Sequence, residues 1–269
     1  MRTIVISGGN SGIGLEAGRQ LAAKGHHVVL LGRDELKGKA AVAEMRGKGG
    51  TAEFVACDLA THAGVRAASE AVLAKHAKLD GLLLGAGVLT TKDQRTADDL
   101  HVVFAVNYLS RYHLAQRLLP AVHGGKIVLL VAGVKLTSKI DFGVFPQLKP
   151  FPGMGSLSSV QIANYHYVQQ LAKSAPQVSA AVVNVGLVKT EIMRDMPFVM
   201  KAGFALLGPL VTIPVEKAAA NPVHLLTTDG WRSGSYWAKP GKADQVTPLA
   251  LDVSVGERVV AVSRELTGV

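Results

Sequence analysis

Short runs of β-branched and aliphatic residues alternate along the chain with longer stretches whose apolar positions recur at helical spacing. The extended runs are Thr3–Ser7, His27–Leu31, Thr51–Cys57, Gly81–Gly85, Lys126–Val131 and Val178–Asn184, with a seventh near Gly234–Trp237. Between them lie helical patterns at Gly12–Lys24, Glu35–Lys48, His62–His76, Leu100–Val122 and Leu157–Ser174. This alternation predicts βαβ units, right-handed crossovers and a parallel sheet covered on both faces. No repeat, low-complexity tract or linker interrupts it, so residues 1–269 are expected to form one α/β domain. Two irregular stretches, 134–155 and 189–214, follow strand ends. Loops at the C-terminal strand ends border the ligand crevice of a doubly wound sheet, and 189–214 is expected to act as a substrate lid.

Composition narrows the class. With 48% hydrophobic and 18% charged residues the chain is not of the disordered type. Its one cysteine, Cys57, excludes an internal disulfide and suits a reducing compartment. Met1-Arg2-Thr3 enters the first strand without room for a secretory signal, and a cytoplasmic location is expected. The longest apolar stretch, Phe198 to Ile213, is broken by Lys201, Gly203, Gly208 and Pro209, so no stable membrane insertion is expected. The net charge of +9 comes from scattered residues without a basic arm. That pattern speaks against a nucleic-acid reader and fits attraction of an anionic ligand, including a phosphorylated cofactor.

The candidate chemistry begins at Ser7-Gly8-Gly9-Asn10-Ser11-Gly12-Ile13-Gly14, between the first strand and the first helix. Glycines in that place allow a tight turn and let the backbone approach a pyrophosphate, while the helix N-terminus faces the anion. Gly8, Asn10, Ser11, Gly12, Ile13 and Gly14 are therefore candidate dinucleotide-binding residues. The second strand ends Leu30-Leu31-Gly32-Arg33, where an NAD site would place an acid for the ribose 2′-hydroxyl. A guanidinium there can fork onto a 2′-phosphate, so Arg33 favours NADP(H). Asp34, next in the chain, is placed to neutralise it in part.

These segments resemble the short-chain dehydrogenase/reductase family, and within it the retinol-dehydrogenase-like branch. The glycine turn is similar to TGxxxGIG, with Ser7 for Thr. Cys57-Asp58-Leu59 resembles the acid–Leu pair set against adenine, and Gly85-Ala86-Gly87 the NAG segment. Phe104-Ala105-Val106-Asn107-Tyr108-Leu109 resembles the segment carrying the family's Asn, here Asn107. Asn184-Val185-Gly186-Leu187-Val188-Lys189-Thr190 resembles NPGxVxT, and Pro214–Ala219 and Ser233–Tyr236 resemble the branch's C-terminal segments. The resemblance implies a Rossmann-type sheet of seven parallel strands in order 3-2-1-4-5-6-7. It implies cofactor contacts at Asp58, Leu59, Gly85, Ala86, Gly87, Asn107, Gly186, Val188 and Thr190. It also implies a homodimer or homotetramer built on the helices Leu100–Val122 and Leu157–Ser174.

The match fails at the proton-transfer groups. The family places a Ser after the fifth strand and a YxxxK on the next helix, for general acid catalysis with a tuned pKa. Aligning Gly125–Ala132 with GRIVNVSS puts Val131 and Ala132 at the serine positions. Aligning Ile162-Ala163-Asn164 with the branch's LAN puts Leu157 at the Tyr position and Gln161 at the Lys position. No Tyr anywhere is followed four residues later by Lys. Of the four usual groups only Asn107 remains as a candidate catalytic residue. Loss of a general acid typically lowers rate by about 10² to 10⁴. Ser156, Ser158, Ser159, Tyr165, His166, Tyr167, Asp141 and Lys135 lie near enough to be weighed as replacements, although helix capping and packing account for most of them. The nine His show no linear metal spacing, and no metal is expected.

The substrate side reads as apolar, with Phe142, Phe145, Phe151 and Met154 in one irregular stretch and Met193, Met196, Phe198, Met200 and Phe204 in the other. Core closure explains the same residues equally well. Three functions fit: an NADPH-dependent reductase of a hydrophobic small molecule with a C=C, iminium or carbonyl group; a non-redox isomerase, cyclase or dehydratase; and a non-enzymatic NADP-binding regulatory or interaction protein.

Overall fold

The computed structural model describes residues 1–131, 139–188, 212–239, 242–244 and 252–269. Its strands are β1 (Thr3–Ser7), β2 (His27–Gly32), β3 (Thr51–Ala56), β4 (Gly81–Leu84), β5 (Lys126–Val131), β6 (Ser179–Asn184), β7 (Ser235–Lys239) and β8 (Lys242–Asp244). Its helices are α1 (Gly12–Ala23), α2 (Glu35–Gly47), α3 (His62–Leu73), α4 (Val102–Phe104), α5 (Ser110–Leu118), α6 (Ser156–Ser174), α7 (Val215–Thr227) and α8 (Val253–Thr267).

Strand alternation decides which residues serve which face. Ile4 and Ile6 of β1 and Val128 and Leu130 of β5 pack with α1, α2 and α7. Val5 of β1 and Ile127, Leu129 and Val131 of β5 turn the other way, toward α3, α5, α6 and α8. All six residues of β5 are buried, as a strand covered on both faces requires. The order is β3-β2-β1-β4-β5-β6-β7-β8. The seven expected strands are parallel in the expected order, and β8 adds one short antiparallel pairing at the β7 edge. The order reverses at β1 and β4, which opens a crevice beyond their C-terminal ends.

The expected helix Leu100–Val122 is not continuous. After α4 the backbone widens into a π-turn at Ala105–Leu109, then continues as α5 and ends in a 3₁₀ turn at Leu119–Ala121. A π-turn displaces a carbonyl from the helical ladder. Here Asn164 of α6 donates from Nδ2 to the Asn107 carbonyl at 3.0 Å.

Helices α7 and α8 and strand β8 lie beyond the elements expected from the pattern. Helix α8 has clear end signals: the Asp252 carboxylate accepts from Ser254 N at 3.0 Å, and Gly268 closes the helix at φ +74°. It packs along α6 and α5. The Tyr108 and Ser263 hydroxyls lie 2.7 Å apart, and the Tyr112 hydroxyl donates to the Val269 carbonyl at 2.7 Å. The face through which the resemblance implies oligomers thus carries the chain's own C-terminal helix.

Candidate functional site

A cleft of about 280 Å³ opens at the C-terminal ends of the strands. Its walls are the β1–α1 turn, the end of β2, the loop after β4, the π-turn and the segment after β6. The structure brings together at this cleft Gly8, Asn10, Ser11, Gly12, Ile13 and Gly14; Arg33, Asp58 and Leu59; Gly85, Ala86 and Gly87; and Asn107, Gly186 and Val188. Gln161 lines it too, whereas Leu157 packs partly buried against the core away from it. Thr190, Ala132, Lys135 and all of the expected lid before 212 lie outside the described residues. Where that segment begins and ends, Val188 bridges Ile213 in parallel and Ile213 N donates to the Leu187 carbonyl at 2.8 Å.

The outer half of the cleft is shaped by main chain. Gly8 and Gly12 hold φ of +72° and +53°. A Cβ on Gly14 would stand 2.4 Å from the Gly8 carbonyl oxygen, so the turn closes only on glycine. Ser11 caps α1 without a side-chain bond, leaving the first-turn amides directed at whatever occupies the turn. The buried Ser7 hydroxyl accepts from Gly85 N at 3.1 Å and Ala86 N at 3.2 Å, fixing the loop after β4 to β1.

Arg33 is exposed at the rim. Asp34 does not neutralise it: its Oδ1 accepts from Lys37 N at 3.0 Å as the N-cap of α2. Among the described residues Arg33 makes no ion pair, which leaves its guanidinium available to an anion in the cleft.

The inner half depends on side chains. Asn107 is 2% exposed. Its Oδ1 accepts from Val88 N at 2.7 Å and its Nδ2 donates to the Val88 carbonyl at 2.9 Å. One donor and one acceptor of the amide thus go to holding the loop after β4, and the Asn107 carbonyl takes the Asn164 amide. Gln161 is 6% exposed, and its buried Oε1 has no hydrogen-bond partner among the described residues.

Sequence reasoning missed Arg111, on the first turn of α5. It is buried and lines the same cleft. Its guanidinium donates to the Ala86 carbonyl at 2.8 Å, to the Leu130 carbonyl, and to Asn164 Oδ1 at 3.2 Å. No carboxylate pairs with it among the described residues, and burial lowers its pKa to about 9. The available signal was Arg at Asn107 plus four, one turn along the same helix face.

The weighed replacements for the proton donor stand elsewhere. Tyr165, His166 and Tyr167 are buried outside the cleft: Tyr165 meets the Tyr236 ring of β7, Tyr167 meets the Tyr112 ring of α5, and burial pushes the Tyr165 hydroxyl up to about 12. The Ser159 hydroxyl donates to the Lys139 carbonyl, and Asp141 Oδ1 accepts from Gly143 N. Among the expected apolar wall residues, Phe145 is buried in the core against Phe104 and Phe142, and Phe151 stacks on His101 at 4.1 Å. These three close the core and do not line the cleft.

A seven-stranded parallel sheet with a glycine turn feeding its crevice defines a dinucleotide-binding fold, and the similarities agree. Residues 2–197 match the model of the short chain dehydrogenase family, and the chain belongs to that family. Human retinol dehydrogenase 12 is 28% identical over 277 residues, covering 100% of this chain and 87% of its own. Human dehydrogenase/reductase SDR family member 13 is 28% identical, covering 99% and 73%. Human polyprenol dehydrogenase is 23% identical, covering 100% and 86%. Among solved structures, L-sorbose reductase from Gluconobacter frateurii, complexed with NADPH and L-sorbose, superposes with a TM-score of 0.70. It is 21% identical over 89% of this chain and 95% of its own, a likeness of fold. These relatives place the chain beside the retinol-dehydrogenase-like members of an oxidoreductase family that binds nicotinamide cofactors. No described helix is long and apolar enough to cross a membrane.

Proposed function

We propose that this chain binds NADP(H) and acts as an atypical reductase of a hydrophobic small molecule, without the Ser, Tyr and Lys proton-transfer groups. The observation that carries the reading is one cleft running from a turn that closes on Gly14, past an Arg33 with no ion pair among the described residues, to Gln161 and Gly186.

The residues present fit the cofactor. Amides at the start of α1 would hold the pyrophosphate, Asp58 and Leu59 would flank the adenine, and Arg33 would hold the 2′-phosphate. The bound dinucleotide would supply a hydride. Toward the inner end Asn107 fixes the loop after β4, and Gln161 offers a buried acceptor. Val106, Leu130, Val131 and Val185 give that end apolar walls. With Leu157 and Gln161 at the Tyr and Lys positions, a substrate that accepts a hydride readily, such as an activated C=C bond or an iminium, suits the site better than a simple ketone. Its proton would come from solvent. The hydrophobic character of the substrate rests on these walls and on the names of the retinol and polyprenol dehydrogenases that the chain resembles. A homodimer or homotetramer across α5 and α6 would have to accommodate α8.

Titration of the chain with NADPH and NADH, followed by a panel of hydrophobic acceptors, tests the reading. NADPH should bind more tightly than NADH, and Arg33→Ala should weaken NADPH alone by roughly 10- to 100-fold, the loss of one charge-assisted contact. NADPH oxidation by an activated acceptor supports the reductase. Conversion of a substrate without net NADPH use replaces it with a non-redox enzyme. Binding with no turnover across the panel replaces it with a non-catalytic NADP-binding protein.

A further inference from the structure

We propose that His27, Glu53 and His76 form a binding site for a divalent metal ion of the zinc class. The site lies at the opposite end of the strands from the cleft and is independent of the cofactor reading. His27 opens β2, Glu53 lies within β3 and His76 follows α3 on its exit turn. One ligand atom from each, an imidazole nitrogen of either His and a carboxylate oxygen of Glu53, all fall within 4.8 Å of one another.

Strand register builds the cluster. His27 pairs with Thr51, and Glu53, two residues on, shares the face of Thr51 and stands diagonally from His27. The turn after α3 then delivers His76 over the same carboxylate. His27 Nε2 lies 3.4 Å from Glu53 Oε1, and His76 Nε2 contacts the same oxygen. The rings are 5.4 Å apart, tilted by 43°. Successive members are 26 and 23 positions apart on no linear motif, which is why spacing alone predicts no metal.

The donor chemistry selects the ion. Two imidazole nitrogens and one carboxylate oxygen suit zinc and its first-row neighbours, and exclude calcium or magnesium as the preferred occupant. At zinc bond lengths of about 2.1 Å, tetrahedral ligands stand about 3.4 Å apart, the His27–Glu53 separation. His76, on its turn, draws back from Glu53 to admit the ion. The ion takes the place of the imidazole protons directed at Oε1 and joins the same three elements. Side-chain exposures of 22%, 16% and 17% leave the ligands partly desolvated yet reachable, with a fourth position for water.

The opposing charge is Lys75, whose Nζ lies 2.9 Å from Glu53 Oε2 and is 61% exposed. It occupies the other oxygen and can swing into solvent.

The test is calorimetric titration of the full chain with zinc chloride, with cobalt(II) absorption as a second readout. The expected result is one ion per chain at micromolar affinity or better, and a tetrahedral cobalt spectrum abolished by zinc. His27→Ala and His76→Ala should each weaken binding by about tenfold or more, with His76→Asn used instead if circular dichroism shows that His76→Ala does not fold. His26→Ala, adjacent but outside the cluster, should leave binding unchanged. Absence of saturable uptake, or uptake equal in the folded His76 variant, would overturn the site and leave a hydrogen-bonded ion cluster only.

Discussion

The two halves of the cleft are built on different principles. The outer half, around Gly8, Gly12 and Gly14, is shaped by main-chain turns and by the start of α1. The inner half, around Asn107, Arg111 and Gln161, is shaped by side chains fixed to one another and to carbonyls. A main-chain site tolerates exchange of its side chains, because the groups it presents are backbone amides. A side-chain site has no such reserve, because each of its contacts is made by one particular residue. On the proposed reading, the binding half of this family's site persists while the proton-transfer half is rewritten.

The sharpest way to break the contrast is a single methyl group in the outer half. In Gly14→Ala the new Cβ would meet the Gly8 carbonyl oxygen at 2.4 Å, and backbone rather than a flexible side chain has to move. The strain is about 2–3 kcal/mol of stability, read as a lowered midpoint in urea unfolding. Because the displaced turn is the one that would hold the pyrophosphate, NADPH affinity should fall on the order of 100-fold, equivalent to about 2.7 kcal/mol. Full NADPH affinity in Gly14→Ala would show that the outer half does not bind through its main chain.

The inner half answers differently. Arg111→Met removes the donor shared by the Ala86 and Leu130 carbonyls and Asn164 Oδ1, while relieving the cost of an unpaired buried charge. The net loss should be about 2 kcal/mol, or a midpoint lowered by roughly 4–8 °C. Arg111→Lys should recover only part of it, since an ammonium lacks the fork that reaches three acceptors. Unchanged thermal stability in Arg111→Met would mean that the carbonyls find other donors and that Arg111 does not hold the inner half together.

The sequence carried the strands and the cofactor turn because both are written in local pattern. The six early strands agree with the alternation to within a residue or two, and the glycine turn signals itself by composition. Three things were not legible. The break in Leu100–Val122 came from a tertiary contact, the Asn164 amide on the Asn107 carbonyl. The role of Phe142, Phe145 and Phe151 was undecidable because core and substrate wall demand the same residue type, and the structure gives them to the core. The His27–Glu53–His76 cluster exists only once β2 and β3 are in register. By contrast α8 was readable from Asp252 and Gly268, and its Val259 packs in the core as an amphipathic face predicts.

The smallest expected effect tests the inner half most cleanly, because its sign differs with and without ligand. Gln161 buries an Oε1 that no donor among the described residues reaches, and a buried acceptor left unpaired costs about 1–3 kcal/mol. Gln161→Leu removes that group at similar volume, so the chain alone should become more stable by up to about 1 kcal/mol in urea unfolding. If the orphan oxygen is kept for a hydroxyl of the bound dinucleotide, the same variant should weaken NADPH by about tenfold, the loss of one hydrogen bond. A variant both more stable alone and weaker for NADPH assigns Gln161 a binding role at the Lys position. A more stable variant with full NADPH affinity makes the inner half a remnant, and an unstable one shows that the amide is held by a partner after all.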